Sequence, residues 1–189
     1  MKIKREDFID SVESISPEKL IFLDESGANL GMSTNYARAE GGKRAVMPKP
    51  FDTGEKFSII GAIALTGIVA MMYVSSAVDT LIFKNFTEQL LIPKLNRGQF
   101  VIFDNVSFHK SQEIINLIET TGAKVVFLPP YSPDLSPIEK MWSKVKEILK
   151  RRKPRTKADF HDAIVSAITS MNDNDFDEWY DACGYALIA

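Results

Sequence analysis

Three carboxylates stand where they could do chemistry together. Asp24 closes the short apolar run Lys19-Leu20-Ile21-Phe22-Leu23, and Asp104 closes Gln99-Phe100-Val101-Ile102-Phe103. Glu139 follows a proline-rich stretch within LPPYSPDLSPIEKMW, residues 128–142. Taken singly, an Asp after a strand is an ordinary turn former. A Glu in the first turn of a helix is favoured by the helix dipole alone. Gathered at one place, such acids repel one another unless a cation lies between them. Oxygen-only donors suit a hard ion, Mg²⁺ or Mn²⁺, rather than zinc. Mg²⁺ takes one or two protein carboxylates and completes its shell with water and substrate phosphate. A pair of such ions, roughly 3.5–4 Å apart, serves phosphodiester displacement.

The elements that must position these acids follow from the apolar pattern. The runs at 19–23, 99–103 and 124–128 read as short buried strands. Residues 56–65 and 68–74 read as a hairpin turning at Thr66-Gly67. Asp79 is placed to cap a helix over about 80–95, and Gly122 to close one over about 110–121. Pro137 suits the first turn of a helix over about 137–152, which Pro154 ends. Thr156 caps a last long helix over about 157–171, and a short one is expected after Asn172. The order β-β-β-α-β-α-β-α-α predicts an α/β protein with a mixed five-stranded sheet and helices on its faces. Strands one, four and five lie side by side, joined partly by right-handed crossovers. Asp24 and Asp104 are then both expected at strand carboxyl ends, where open α/β sheets gather ligands. The expected division is an N-terminal extension over 1–17, a central α/β domain over 18–172 that carries all three acids, and a C-terminal tail over 173–189.

Composition supports a folded core, with 45% apolar and 25% charged residues. The single cysteine, Cys183, excludes an internal disulfide and a cysteine-built zinc cluster, and fits a reducing setting. The first ten residues, MKIKREDFID, lack the apolar segment of a signal peptide. Residues 57–74 carry no charge, which is close to the length of a membrane span, but the central Thr-Gly turn favours two buried strands. Net charge is −2, unevenly spread. Residues 140–157 hold nine Lys/Arg and one acid, Glu147, a net of +8, against 14 basic and 24 acidic residues elsewhere. The end of this stretch, residues 150–157, reads either as a solvated helix end with cations near the C-terminus or as a phosphate contact that positions a nucleic acid without reading sequence. Lys140, Lys144, Lys150, Arg151 and Arg152 are the candidate DNA contacts within the stretch. Asp134 reads as a turn residue, and Trp142 shares a core-facing helical stripe with Val145 and Leu149.

Leu23-Asp24-Glu25-Ser26-Gly27, Phe103-Asp104-Asn105 with His109, and the stretch 128–142 together resemble the DDE transposases of the mariner superfamily, in its bacterial insertion-sequence branch. The 34 residues between Asp104 and Glu139 match the spacing of that group. The resemblance spans about 18–170, and the last motif is the most specific. It implies an RNase H-like fold, a two-metal site of Mg²⁺ or Mn²⁺, DNA strand cleavage by water, and strand transfer by the freed 3′-hydroxyl. By that match Asp24, Asp104 and Glu139 are the catalytic, metal-binding triad, and His109 contacts DNA or orients a group of the site. Transposon ends and target DNA are the implied partners. Synapsis of two ends implies a homodimer, and a bacterial enzyme of this kind works in the cytoplasm at the nucleoid.

The sequence departs from that pattern in three places. Ser136 stands where the family commonly has Asn, and Tyr36 where a Trp is usual. Only 23 residues precede Asp24, too few for the helix-turn-helix domains such transposases carry. The expectation is therefore a catalytic domain whose DNA recognition comes from elsewhere, for instance a separate helix-turn-helix polypeptide. Two other functions use the same residues. One is a catalytically silent or truncated remnant that binds DNA or a partner. The other is an RNase H-like nuclease acting on RNA–DNA hybrids, which shares the acids but not the proline motif.

Overall fold

The structure is a computed structural model that describes residues 2–34, 38–46, 54–104 and 111–185. The chain runs α1 (Lys2–Glu13), β1 (Leu20–Asn29), β2 (Lys56–Ala64), β3 (Gly67–Val74), α2 (Thr80–Phe86), β4 (Phe100–Phe103), α3 (Gln112–Glu119), β5 (Lys124–Phe127), α4 (Pro137–Arg152), α5 (Lys157–Thr169) and α6 (Asp173–Asp181). The strands form one mixed sheet in the order β3-β2-β1-β4-β5. β1 pairs antiparallel with β2 and parallel with β4, and β4 parallel with β5. The Asp79 carboxylate accepts the Ile82 N–H at 2.8 Å to start α2, which a π-helical turn (Thr87–Leu91) prolongs.

Strand alternation divides the core in two. Leu20 and Phe22 of β1, Phe57, Ile59 and Ile63 of β2, and Ile102 of β4 pack against α4, α5 and α6. Ile21 and Leu23, Ile60 and Ala62, and Val101 and Phe103 face Phe83 and Phe86 of α2 and Ile114 and Ile118 of α3. Both faces of the sheet are thus covered, as its apolar runs require. The segments at the two ends join the first cluster: Phe8 and Val12 from α1, and Phe176, Trp179 and Tyr180 from α6. The Tyr180 hydroxyl donates to the Leu20 and Ile63 carbonyls at 3.0 and 3.3 Å. α1 is a helix the sequence pattern did not announce, because its two buried residues sit among charges.

One expectation needs correction. Asp24 does not end its strand, since β1 continues to Asn29. Antiparallel pairing with β2 carries the chain on, from Asp24 opposite Gly61 to Asn29 opposite Lys56. What ends near Asp24 is the parallel half of the sheet. The register pairs Leu23 with Phe103, the last residue of β4. The next residues on the two strands are Asp24 and Asp104, so the acids remain neighbours at the carboxyl end of the parallel ladder.

Candidate active site

A cleft of about 470 Å³ opens where β4 and β5 stop and the chain turns into α4. Its lining includes Asp24, Asp104 and Glu139 together with the proline-rich stretch from Leu128 to Pro133. Each acid comes from a different element: a strand interior, the residue after a strand, and the first turn of a helix. Asp24 and Asp104 are half-buried and Glu139 is exposed. Burial pushes the Asp24 carboxyl up to about 7, and the charges of Glu139 and Asp104 add to that push. The Glu25 backbone N–H and the Trp142 indole pull the other way. Asp24 is therefore within electrostatic reach of both other acids.

Asp24 is held by a residue that periodicity alone would leave in the core. Trp142 is 1% exposed, yet its Nε1–H donates to Asp24 Oδ2 at 3.0 Å. A buried indole N–H needs such a partner. The ring fits because the residue paired with Asp24 on β2 is Gly61. A Cβ at that position would lie 2.8 Å from Trp142 Cη2, 3.1 Å from Cζ2 and 3.3 Å from Met141 Cε. Gly61, Trp142 and Asp24 thus link the sheet to the helix that carries Glu139.

The proline-rich stretch is anchored along its length. Arg5 of α1 donates to both Asp134 carboxylate oxygens, at 3.0 and 2.6 Å, and to Ser132 Oγ at 3.2 Å. The Arg5 hydrogen bond holds the Asp134 carboxyl below its ordinary range. The Tyr185 hydroxyl donates to the Leu135 carbonyl at 2.7 Å in the interior. Prolines limit the remaining backbone freedom. Asp134 is thus the turn residue expected from sequence, with a specific anchoring partner.

The predicted DNA contacts fall into two groups. Lys140, Arg151 and Arg152 are exposed on α4, and Lys150 is half-buried. Lys144 is engaged within the fold: its Nζ lies 2.6 and 2.7 Å from the Asp175 carboxylate oxygens on α6, and 3.2 Å from the Ser170 carbonyl. Partial burial raises the Asp175 carboxyl, but the Lys144 hydrogen bond and charge outweigh it and hold it below the usual range. Ser136, the departure before Glu139, is buried at the start of α4. His109, Asn105 and Tyr36 lie outside the described residues.

The donor set is oxygen-only, so its chemistry fits a hard divalent cation. Among the described residues no three His, Cys, Asp or Glu side chains stand close enough to surround one ion. An ion of the Mg²⁺ type, which takes one or two carboxylates, needs no such cluster. The described residues also include no helix long and apolar enough to cross a membrane.

A family model for DDE superfamily endonucleases matches residues 19–161, and the chain belongs to that family. Solved structures of the Mos1 mariner transposase share the fold. The pre-cleavage Mos1 transpososome aligns with TM-score 0.75 at 13% identity, covering 97% of this chain and 60% of the other. The mariner Mos1 paired-end complex with Mg aligns at 0.77 and 14%, covering 97% and 59%. The isolated catalytic domain of Mos1 transposase aligns at 0.69 and 14%, covering 97% and 90%. The fold is thus RNase H-like, and the chain spans about three fifths of the Mos1 chains in those assemblies. No curated protein matches the sequence.

Proposed function

We propose that this chain is the catalytic domain of a DNA transposase that cleaves and joins DNA strands with Mg²⁺ or Mn²⁺. The observation that carries the reading is the convergence of Asp24, Asp104 and Glu139 on one cleft beside the proline-rich stretch. Membership of the DDE endonucleases, and the Mos1 complexes with Mg and with Mn, support it. Asp24 and Asp104 would hold or share the ions at the sheet, and Glu139 would complete the second site. Divalent ions bound there would supply activation of the attacking hydroxyl and charge stabilisation of the leaving oxygen. The protein's part is positioning. Trp142 fixes the Asp24 carboxylate, the anchored prolines fix the approach to Glu139, and the sheet fixes Asp24 against Asp104. The basic end of α4 offsets the acids when a polyanion approaches. Transposon ends and target DNA are the substrates, with end recognition by a separate helix-turn-helix polypeptide. A homodimer serves to hold two ends, and a place in the insertion-sequence branch of bacteria puts the enzyme at the nucleoid.

The test is strand nicking of a transposon-end duplex with Mn²⁺. Asp104→Asn keeps the shape of the side chain and removes its charge, so nicking should fall by at least roughly a hundredfold, as the loss of a preorganised charge at a reacting centre does. Undiminished nicking by that variant would refute the metal-triad reading.

A further inference from the structure

We infer that Tyr131 is a stacking platform for an unpaired base of the DNA strand entering the cleft, a reading that rests on the cleft acting on DNA. Tyr131 adopts φ 58°, one of two non-glycine residues with positive φ among those described. The other, Lys153, closes α4 and donates its N–H to the Leu149 carbonyl at 2.9 Å. A left-handed residue at a helix end has that ordinary explanation. Tyr131 ends no helix. It follows Pro130, and a positive φ directly after a turn proline is where glycine or asparagine is expected. A bulky residue there carries strain that the surrounding structure must hold in place.

Packing does not repay the strain. Tyr131 is 91% exposed, whereas Pro129 and Ser132 beside it are buried. The residue nevertheless lines the same cleft as Asp24, Asp104 and Glu139. The Arg5, Asp134 and Ser132 contacts and the Tyr185–Leu135 bond steady the loop on its C-terminal side. An exposed aromatic on the lining of an acidic cleft offers a nucleic acid something the carboxylates cannot: an uncharged face for a base. Every base has such a face, so stacking needs no sequence preference. A base paired within a duplex is already stacked on its neighbours, so the ligand is an unpaired nucleotide beside the strand to be broken.

The experiment uses the whole chain with Mn²⁺ and a duplex carrying unpaired 2-aminopurine next to a nick. Wild type and Tyr131→Phe should quench the 2-aminopurine on binding. Tyr131→Gly should not quench, and should bind this DNA roughly tenfold more weakly, the size expected of one aromatic stack. Its affinity for a fully paired duplex should match that of wild type. Its melting temperature should not fall, because glycine accepts the backbone conformation. Equal quenching by Tyr131→Gly overturns the inference, as does a deficit in Tyr131→Phe as large as in Tyr131→Gly, which would assign the effect to the hydroxyl. Nicking is followed in parallel with the same duplex fully paired. Quenching without nicking leaves the platform and removes the catalytic reading. Nicking with quenching unchanged in Tyr131→Gly does the reverse.

Discussion

The two ends of α4 solve different problems with one helix. At the N-terminal end Ile138, Met141 and Trp142 are fully buried against β1 and β2, and Glu139 emerges at the cleft. At the C-terminal end Arg151 and Arg152 are exposed. On the proposed function the first end needs position, because a metal ligand misplaced by a fraction of an ångström is a poor ligand. The second needs only charge near a phosphate backbone, which long flexible side chains supply without fixed geometry. Chemistry and attraction are therefore separable along α4, and substitutions at the two ends should fail in different ways.

The sharpest break at the packed end is Gly61→Ala. A Cβ there would stand 2.8 Å from the Trp142 ring. Backbone of the central sheet lies behind it, so the ring and α4 must shift. Overpacking of this kind costs roughly 1–3 kcal/mol. We expect a lower melting temperature and weaker thermal stabilisation by Mn²⁺, because the same shift loosens the Trp142 bond to Asp24. A variant with unchanged melting temperature and unchanged Mn²⁺ response would show that the helix is not held by this fit.

Asp24→Asn tests the same end with a smaller effect of opposite sign. The folded carboxyl sits at about 7, above its ordinary value of about 3.9. Ionising it therefore costs the fold stability. Below about pH 4 both states are protonated and no cost exists; as pH rises through about 7 the cost becomes complete. The gap sets an upper bound of ~4 kcal/mol, and solvent in the cleft reduces it to about 1–2 kcal/mol. Asparagine keeps an oxygen for the Trp142 N–H and carries no charge. The variant should be more stable than wild type at pH 8, equal near pH 4, and no longer stabilised by Mn²⁺. Thermal melts across that range check it, and a variant less stable at pH 8 would remove the electrostatic account.

How much of the fold and site was legible in the sequence depended on how local the cause was. Pro137 and Pro154 punctuate α4, so its bounds could be read directly, and Asp79 and Thr156 mark the helix starts they cap. The three acids could be assigned to one cleft because each follows a recognisable run or motif. The length of β1 was not legible, since Ser26-Gly27-Ala28-Asn29 is strand only by virtue of β2. α1 escaped because Phe8 and Val12 are too few apolar positions among its charges. The bond from Trp142 to Asp24 joins residues 118 apart, through space that Gly61 leaves open. The positive φ of Tyr131 had no glycine to advertise it. The role of Lys144 was hidden because the acid it meets lies on α6, 31 residues away.

Lys144 also supplies the subtlest test of the contrast along α4. It and the pair Arg151 and Arg152 are the same kind of residue on one helix, and composition treats them alike. The structure puts the Lys144 ammonium between Asp175 and the Ser170 carbonyl, in a part-buried pair. Lys144→Ala should therefore cost about 1 kcal/mol of stability, the size of a good but solvent-touched ion pair. It should leave the salt dependence of DNA binding unchanged. The double variant Arg151→Ala, Arg152→Ala should do the opposite. Its melting temperature should hold, as exposed substitutions usually allow. Its DNA affinity should fall evenly across sequences, and the slope of log affinity against log salt should flatten by about two, one for each phosphate no longer neutralised. If Lys144→Ala instead flattened the slope at full stability, Lys144 would leave Asp175 for DNA, and the boundary between the structural and the electrostatic ends of α4 would move about two turns towards Glu139.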